Sequence, residues 1–267
     1  MMNKIYAGID IGSLTTETVL IDDQGAVVAS NISSTGPNSR WAAERSFRHI
    51  QKETGLSPNR ITHIVATGYG RASAPMAHKT MTEITCHARG AYYLLPHTRT
   101  VIDIGGQDCK VIKLGSQGNI INFVMNDKCA AGTGRFLEVM AQALEIQLAD
   151  MGPLSLKSQQ EIAISSMCTV FAESEVISLV AETRPIEDIL NGLHQAVSTR
   201  LVGMLNQLGA EPEVTMCGGV AKNIGIVTKI QEKLGLTINL PPEPQIIGAL
   251  GAALIARDLV RKAGTHE

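Results

Sequence analysis

The chain has 267 residues, of which 44% are apolar and 18% charged, enough apolar material for a packed core and far from the composition of a disordered chain. Its net charge is −2 and it has no Lys/Arg-rich run, so the electrostatic footprint of a nucleic-acid binder is missing. No segment reaches the ~18 consecutive apolar residues of a membrane span, and the opening MMNKIYAGIDIGS meets Asp10 before any long apolar run. Neither nucleic acid nor a membrane is therefore expected as a partner, and a cytoplasmic location is.

In chain order, KIYAGIDIGS alternates as a strand running into a glycine turn. TTETVLIDD reads as a second strand, and AVVASN as a third after the turn Asp22-Asp23-Gln24-Gly25. Arg40 to Thr54 carries apolar residues at helical spacing, and Ile61 to Thr67 is a short strand ending at the Gly68-Tyr69-Gly70 loop. A helix from Glu83 to Leu95 stops at Pro96. TVIDIGG, CKVIKLG and IINFVMN then repeat the opening theme of strand, acidic Gly-rich turn and strand. Helices are expected over RFLEVMAQALEIQL, FAESEVISLVAE and Ile186 to Leu208; EVTMCGGVAKN reads as strand, Gly-Gly turn and helix, and Ile246 to Arg261 as a final Ala-rich helix. The echo of GIDIGS (Gly8 to Ser13) in VIDIGGQD (Val101 to Asp108) implies an α/β protein of two related halves. They are drawn as residues 1–97, with the C-terminal helix 246–267 packing back on them, and residues 98–245, which hold the helices that follow the later cysteines.

A strand that ends in Asp and then Gly places a carboxylate beside backbone that can approach phosphate, which suits Mg²⁺ and polyphosphate. One such motif is also an ordinary hairpin turn; two in matching places carry more. With Thr15 and Thr16 as phosphate-facing hydroxyls, the CGGVAKN turn and the GALGAAL segment, five elements occur in an order that resembles the actin, sugar kinase and heat-shock chaperone ATPases. GxxxxGK[ST] is absent, and no GxGxxG follows the first strand. The resemblance implies an actin-like, sugar-kinase-like ATPase fold, two duplicated subdomains around a nucleotide cleft, and ATP/ADP with Mg²⁺ as ligands. Under it Asp10 and Asp103 hold magnesium-bound waters and Gln107 orients the attacking water. Gly12, Ser13, Thr15, Thr16, Gly105 and Gly106 face the phosphates, Leu14, Gly132 and Thr133 are further cofactor-binding positions, Gly218 and Gly219 lie against adenosine, and Gln245 is near the base or ribose. On the residues alone, Asp108 is equally a turn cap and Gln245 equally a residue that opens a helix.

Five cysteines, Cys86, Cys109, Cys129, Cys168 and Cys217, form an odd set without a CxxC, so a disulfide scaffold is not expected and a metal site has to be assembled from distant residues or separate chains. NDKCAAGTGRFLEVMA and ISSMCTVFAESEVISLVAE share an arrangement: polar lead-in, one Cys, small residues, then a helix with acidic residues in its early turns. A helix N-terminus stabilises a thiolate, whereas a free thiol filling core space is the common alternative. Two thiolates from each of two chains would complete the four of an iron-sulfur cube on a dimer axis. Cys86 falls in a helix, Cys109 in a strand and Cys217 beside the Gly-Gly turn. The strings DKCAAGTGRFL and CTVFAESEVIS closely resemble the ATP-dependent activator, or component A, of 2-hydroxyacyl-CoA dehydratases, a family that includes the ATP-binding subunits of benzoyl-CoA reductase. That resemblance implies a homodimeric ATPase with one [4Fe-4S] cluster per homodimer, ligated by Cys129 and Cys168 of each subunit. It further implies one-electron transfer from a ferredoxin or flavodoxin to a dehydratase or reductase component that carries its own Fe-S cluster. Glu17 departs from the pattern, standing where relatives carry lysine. The alternatives are a benzoyl-CoA reductase subunit, an activator of another cluster-bearing reductase, a small-molecule kinase of the same superfamily, and a non-enzymatic ATP-dependent scaffold.

Overall fold

The computed structural model describes residues 4–164 and 168–264. The chain forms β1 (Ile5–Ile11), β2 (Thr15–Ile21), β3 (Val27–Ser34), α1 (Ser39–Thr54), β4 (Ile61–Thr67), β5 (Lys79–Thr80) and α2 (Glu83–Leu94). There follow β6 (Thr100–Ile104), β7 (Cys109–Leu114), β8 (Ile120–Asn126), α3 (Gly134–Ala143), α4 (Met151–Ser155), α5 (Thr169–Ala181), α6 (Ile186–Leu208), β9 (Val214–Cys217), α7 (Ile224–Leu234), β10 (Ile238–Asn239) and α8 (Ile247–Gly264). Two compact units result: one of Met1–Thr98, Leu114–Ile120 and Pro241–Glu267, the other of Arg99–Lys113 and Ile121–Leu240.

Each unit is built on a five-stranded sheet, ordered β3-β2-β1-β4-β5 in the first and β8-β7-β6-β9-β10 in the second. The two orders are the same once the strands are renumbered, so the sequence echo is a duplication of topology. β1 runs antiparallel to β2 and parallel to β4; β6 runs antiparallel to β7 and parallel to β9. Antiparallel neighbours need only tight turns, and both are closed alike, Gly12 N–H donating to Thr15 O (2.9 Å) and Gly105 N–H to Asp108 O (3.0 Å). Parallel neighbours need a crossover, which α1 supplies in the first unit and the segment containing α3 to α6 in the second. The central strands β1 and β6 are buried along their whole length, which explains their unbroken apolar character outside the terminal carboxylates, while the edge strand β3 alternates between exposed and half-buried positions.

The small-residue run of α8 has a packing cause. This helix lies on α2, β1 and β4, and a Cβ at Gly251 would stand 1.8 Å from Cys86 O, one at Gly90 2.3 Å from Ile247 O, and one at Gly8 1.9 Å from Ala249 O. Backbone therefore meets backbone on both sides of α8, and only glycine and alanine allow that approach.

α3 is shorter than its apolar period suggests, ending at Ala143 rather than running on to Leu148. Glu145 takes a left-handed conformation (φ 54°), Glu145 N–H donates to Gln142 O and Ile146 N–H to Ala141 O, the bonds of a Schellman end. The stop is written without glycine, so the pattern gives no warning of it. At the end of α6 the same bonds form around Gly209, which is legible.

Replacing Gly251 with Val should lower the unfolding free energy by about 3 kcal/mol or more, because backbone on α2 has to retreat. Gly203→Ala should instead raise it by roughly 0.5–1 kcal/mol, since nothing lies within 4 Å of the added methyl on exposed helix. Urea midpoints for the two variants check both signs.

Candidate active site

In the first unit the site grows from the end of β1. Asp10 is 7% exposed, and its carboxylate occupies the space that side chains would take at two glycines. A Cβ at Gly68 would stand 2.3 Å from Asp10 Oδ1, and one at Gly248 would stand 1.9 Å from Oδ2. Gly68 has φ +83°, so its conformation and its space both require glycine. His87 Nε2 lies 4.0 Å from Asp10 Oδ2. Its Nδ1 is 3.0 Å from Glu83 O, and because a carbonyl only accepts, Nδ1 carries the proton.

The turn after Asp10 is braced from behind. Thr35 Oγ1 donates to Gly12 O (2.8 Å) and accepts from Thr16 Oγ1 (2.8 Å), while Thr35 N–H donates to Leu14 O (2.8 Å). Thr16 is fully buried, so its hydroxyl holds the turn from inside, whereas Gly12, Ser13, Leu14 and Thr15 are half-buried along its rim. Gln245 Nε2 donates to Thr15 Oγ1 (3.1 Å) and Glu17 Oε1 (3.2 Å), which ties the start of α8 to this hairpin. Asp10, the Gly12–Thr16 turn and Gln245 are thus brought together within one unit.

The second unit repeats the design. Asp103, at 2% exposure, sits under Gly218 (φ +85°), whose Cβ would stand 2.7 Å from Asp103 Oδ1 and 2.3 Å from Ile104 O. Gly218 and Gly68 therefore occupy matching places, each ending the parallel strand beside an Asp-bearing strand. Lys110 Nζ lies 3.0 Å from Asp103 Oδ2 and 2.8 Å from Asp108 Oδ1. Cys217 Sγ donates to Ile102 O at 3.3 Å and reaches Asp103 Oδ1 at 3.7 Å. Gln107 is exposed at the turn tip, and Gly219 is exposed at the start of the single helical turn Gly219–Lys222.

The turn Gly105–Gly106 also anchors a helix. Gly134 N–H donates to Gly105 O (2.9 Å) and Arg135 N–H to Gly106 O (2.7 Å), so the first turn of α3 is hydrogen-bonded to it. Gly132 (φ +82°) and Thr133, whose Oγ1 donates to Ala130 O (2.6 Å), shape the approach to that helix.

Behind Gly218 and Gly219, Asn223 caps α7 by accepting from Ile226 N–H (3.2 Å). Its Nδ2 donates to His194 Nε2 (3.1 Å), His194 Nδ1 donates to Ser155 Oγ (2.9 Å), and Ser155 Oγ donates to Gly152 O (2.8 Å). Every member of this buried chain is satisfied only with a neutral imidazole. Burial, with a smaller contribution from the Lys229 charge, lowers the His194 pKa to about 4.

The cysteines divide by exposure. Cys86, Cys109 and Cys217 are buried, and burial pushes the thiols of Cys86 up to about 12 and Cys109 up to about 11. Cys129 is half-buried and Cys168 exposed, which leaves these two able to reach a cluster. Cys168 is the N-cap of α5; Cys129 stands in the loop ahead of α3, its carbonyl accepting from Asn126 Nδ2 (2.8 Å). α3 packs on α5, and neither helix has an acidic residue in its first turn to offset the positive end of its dipole. The donor set, two reachable sulfurs at the head of two packed helices, fits half of a four-thiolate cluster. Residues 165–167, the lead-in to Cys168, lie outside the described residues.

Lys110 and His87 are neighbours of the two aspartates that motif reading missed; Asp108 was read only as a turn cap, Gly248 only as part of GALGAAL, and Gly68 only as part of a loop. Gly68 carried a signal, since TGYG after β4 parallels CGGV after β9.

The profile of the BadF/BadG/BcrA/BcrD ATPase family matches residues 7–256. The chain belongs to that family. The 2-hydroxyisocaproyl-CoA dehydratase activator of Clostridioides difficile is 46% identical to it over 256 residues, 96% of each chain. A solved structure of the activator of the 2-hydroxyisocaproyl-CoA dehydratase from Clostridium difficile, with bound ADPNP, aligns with TM-score 0.92 at 44% identity, covering 100% of this chain and 98% of that one. A benzoyl-CoA reductase subunit of Thauera aromatica is 33% identical, over 94% of this chain and 92% of its own. The fold is the actin-like ATPase fold. Among the described residues, no helix is long and apolar enough to cross a membrane.

The His194 chain gives this BadF/BadG-family ATPase a pH dependence with a definite sign. The unfolded chain takes up a proton near 6.5 but the folded one only near 4, so stability is complete above the first value and declines as pH falls toward the second. Urea midpoints should fall across that window, and His194→Gln should flatten this part of the slope.

Proposed function

We propose that the chain is an ATP-driven activator that passes single electrons to a 2-hydroxyacyl-CoA dehydratase. The observation that carries this reading is the pair of bonds from Gly134 and Arg135 N–H to the carbonyls of Gly105 and Gly106. They make the second phosphate turn and the helix that follows Cys129 one hydrogen-bonded unit, so a shift at the turn is a shift at the cysteine loop. Identity of 46% with a dehydratase activator against 33% with a benzoyl-CoA reductase subunit favours the dehydratase as the partner.

In this reading Asp10 and Asp103 hold the water shell of Mg²⁺, the turns at Gly12 and Gly105 receive phosphate, and Gln107 orients the water that attacks it. Gly218 and Gly219 lie against adenosine. Cys129 and Cys168 from each of two copies hold one [4Fe-4S] cluster, which supplies a one-electron carrier when bound. Ferredoxin or flavodoxin is the donor, and the acceptor is the cluster of the dehydratase component. The α5 surface supports a homodimer: Val170 and Phe171 are each 66% exposed, and Ile177 and Val180 are also exposed, on the helix that Cys168 caps. A second copy of the chain is the occupant that would both cover that face and bring two more sulfurs to the first two.

Anaerobic protein should contain about four irons per dimer. Cys129→Ala and Cys168→Ala should each reduce iron to background while ADP still binds; full iron in either variant would falsify the ligand assignment. Phe171→Glu should shift the dimer to monomer in sedimentation and lose iron with both cysteines in place. Asp10→Asn should keep iron and slow ATP hydrolysis by roughly a hundredfold or more.

A further inference from the structure

Lys110 is 1% exposed, and its ammonium touches two carboxylates, Asp103 Oδ2 at 3.0 Å and Asp108 Oδ1 at 2.8 Å. The β6–β7 register sets Asp103 directly opposite Lys110, just as the β1–β2 register sets Asp10 opposite Glu17. The duplicated hairpins thus carry opposite charges at the position that faces the aspartate. In the first, the residue facing the aspartate is a carboxylate that accepts from Gln245 Nε2; in the second it is a buried ammonium. Burying an ammonium is costly unless it is paired, and here one partner, Asp103, lies near the end of the strand that leads into the turn the phosphates are read to meet, while the other, Asp108, belongs to the turn itself.

We infer that Lys110 is a positioning residue that sets the charge and the aim of the second phosphate turn: it gathers Asp103 and Asp108 on one ammonium, so that a nucleotide polyphosphate meets one net negative charge there instead of two. The inference rests on the reading of Asp103 and Gly105–Gly106 as nucleotide-binding. Its consequence is a division of labour, in which Lys110 screens the turn while Mg²⁺ is absent and the divalent cation takes over that screening when it arrives with the nucleotide.

Calorimetric titration of the full-length dimer with ADP, once in EDTA and once in excess Mg²⁺, tests it. Lys110→Met should weaken metal-free ADP binding by roughly tenfold or more, with Mg²⁺ restoring most of the loss, and Lys110→Arg should recover much of the metal-free affinity. Asp108→Asn removes one negative charge, leaves the Lys110–Asp103 pair in place, and should tighten metal-free binding. That opposite sign is beyond a merely structural role, in which both substitutions loosen the turn and weaken binding equally with and without metal. Equal weakening in the two buffers, or weaker metal-free binding by Asp108→Asn, overturns the inference while leaving the nucleotide site intact. Failure of the unsubstituted protein to bind ADP in either buffer overturns the nucleotide reading and this inference with it. Should Lys110→Met not fold, the sign of the Asp108→Asn change decides alone.

Discussion

A carboxylate buried at the end of a central strand, roofed by a positive-φ glycine from the parallel strand beside it, is the arrangement on which the rest of the molecule depends. It occurs as Asp10 under Gly68 and as Asp103 under Gly218. Both glycines have an aspartate oxygen and a strand carbonyl where a side chain would go, so the aspartate defines the space and glycine alone fits it. The antiparallel hairpin and the parallel crossover must both be present before the two residues meet. Each of these turns is in this sense the product of a whole sheet topology.

Much of this was legible in the sequence, and the reasons are particular. The hairpin strands alternate or run apolar between Gly and Asp punctuation, and α6 is bounded by Pro185 and Gly209, so those elements announce themselves. β5 and β10, two residues each, are too short to have a period, and they exist only because a longer parallel neighbour offers them a ladder. Asp10 and Asp103 were visible through the echo of their surroundings. Lys110 was not, because nothing in CKVIKL tells a buried, paired lysine from an ordinary surface one. Its partners come from the opposite strand and from the turn, and no local pattern encodes their approach. His87 was hidden for a similar reason: its place beside Asp10 is created by α2 packing against α8.

The same contrast governs the cysteines. Spacing and context singled out Cys129 and Cys168, but burial is what separates them from the other three, since a thiol with a pKa raised toward 11 or 12 in an apolar core is a poor source of thiolate. Cys168 gains a helix N-terminus directly, whereas Cys129 stands in the loop ahead of its helix, tethered through its carbonyl. The two sulfurs are therefore mounted differently: one moves with α5, and the other with a loop whose far end leads into α3.

That difference bears on how a nucleotide signal could reach them. A displacement of Gly105 and Gly106 pulls on α3 through two main-chain bonds, which are short and directional and depend on no side chain. α5 meets α3 by side-chain packing instead, a contact that yields to sliding along the helix axis more readily than a main-chain bond does. In the proposed activator, repacking of this kind would change the solvent access and hydrogen bonding of the sulfur ligands, the quantities that tune a cluster's potential. With a rigid link on one side and a sliding contact on the other, a shift of the Gly105–Gly106 turn would act on the relative placement of the two cysteines.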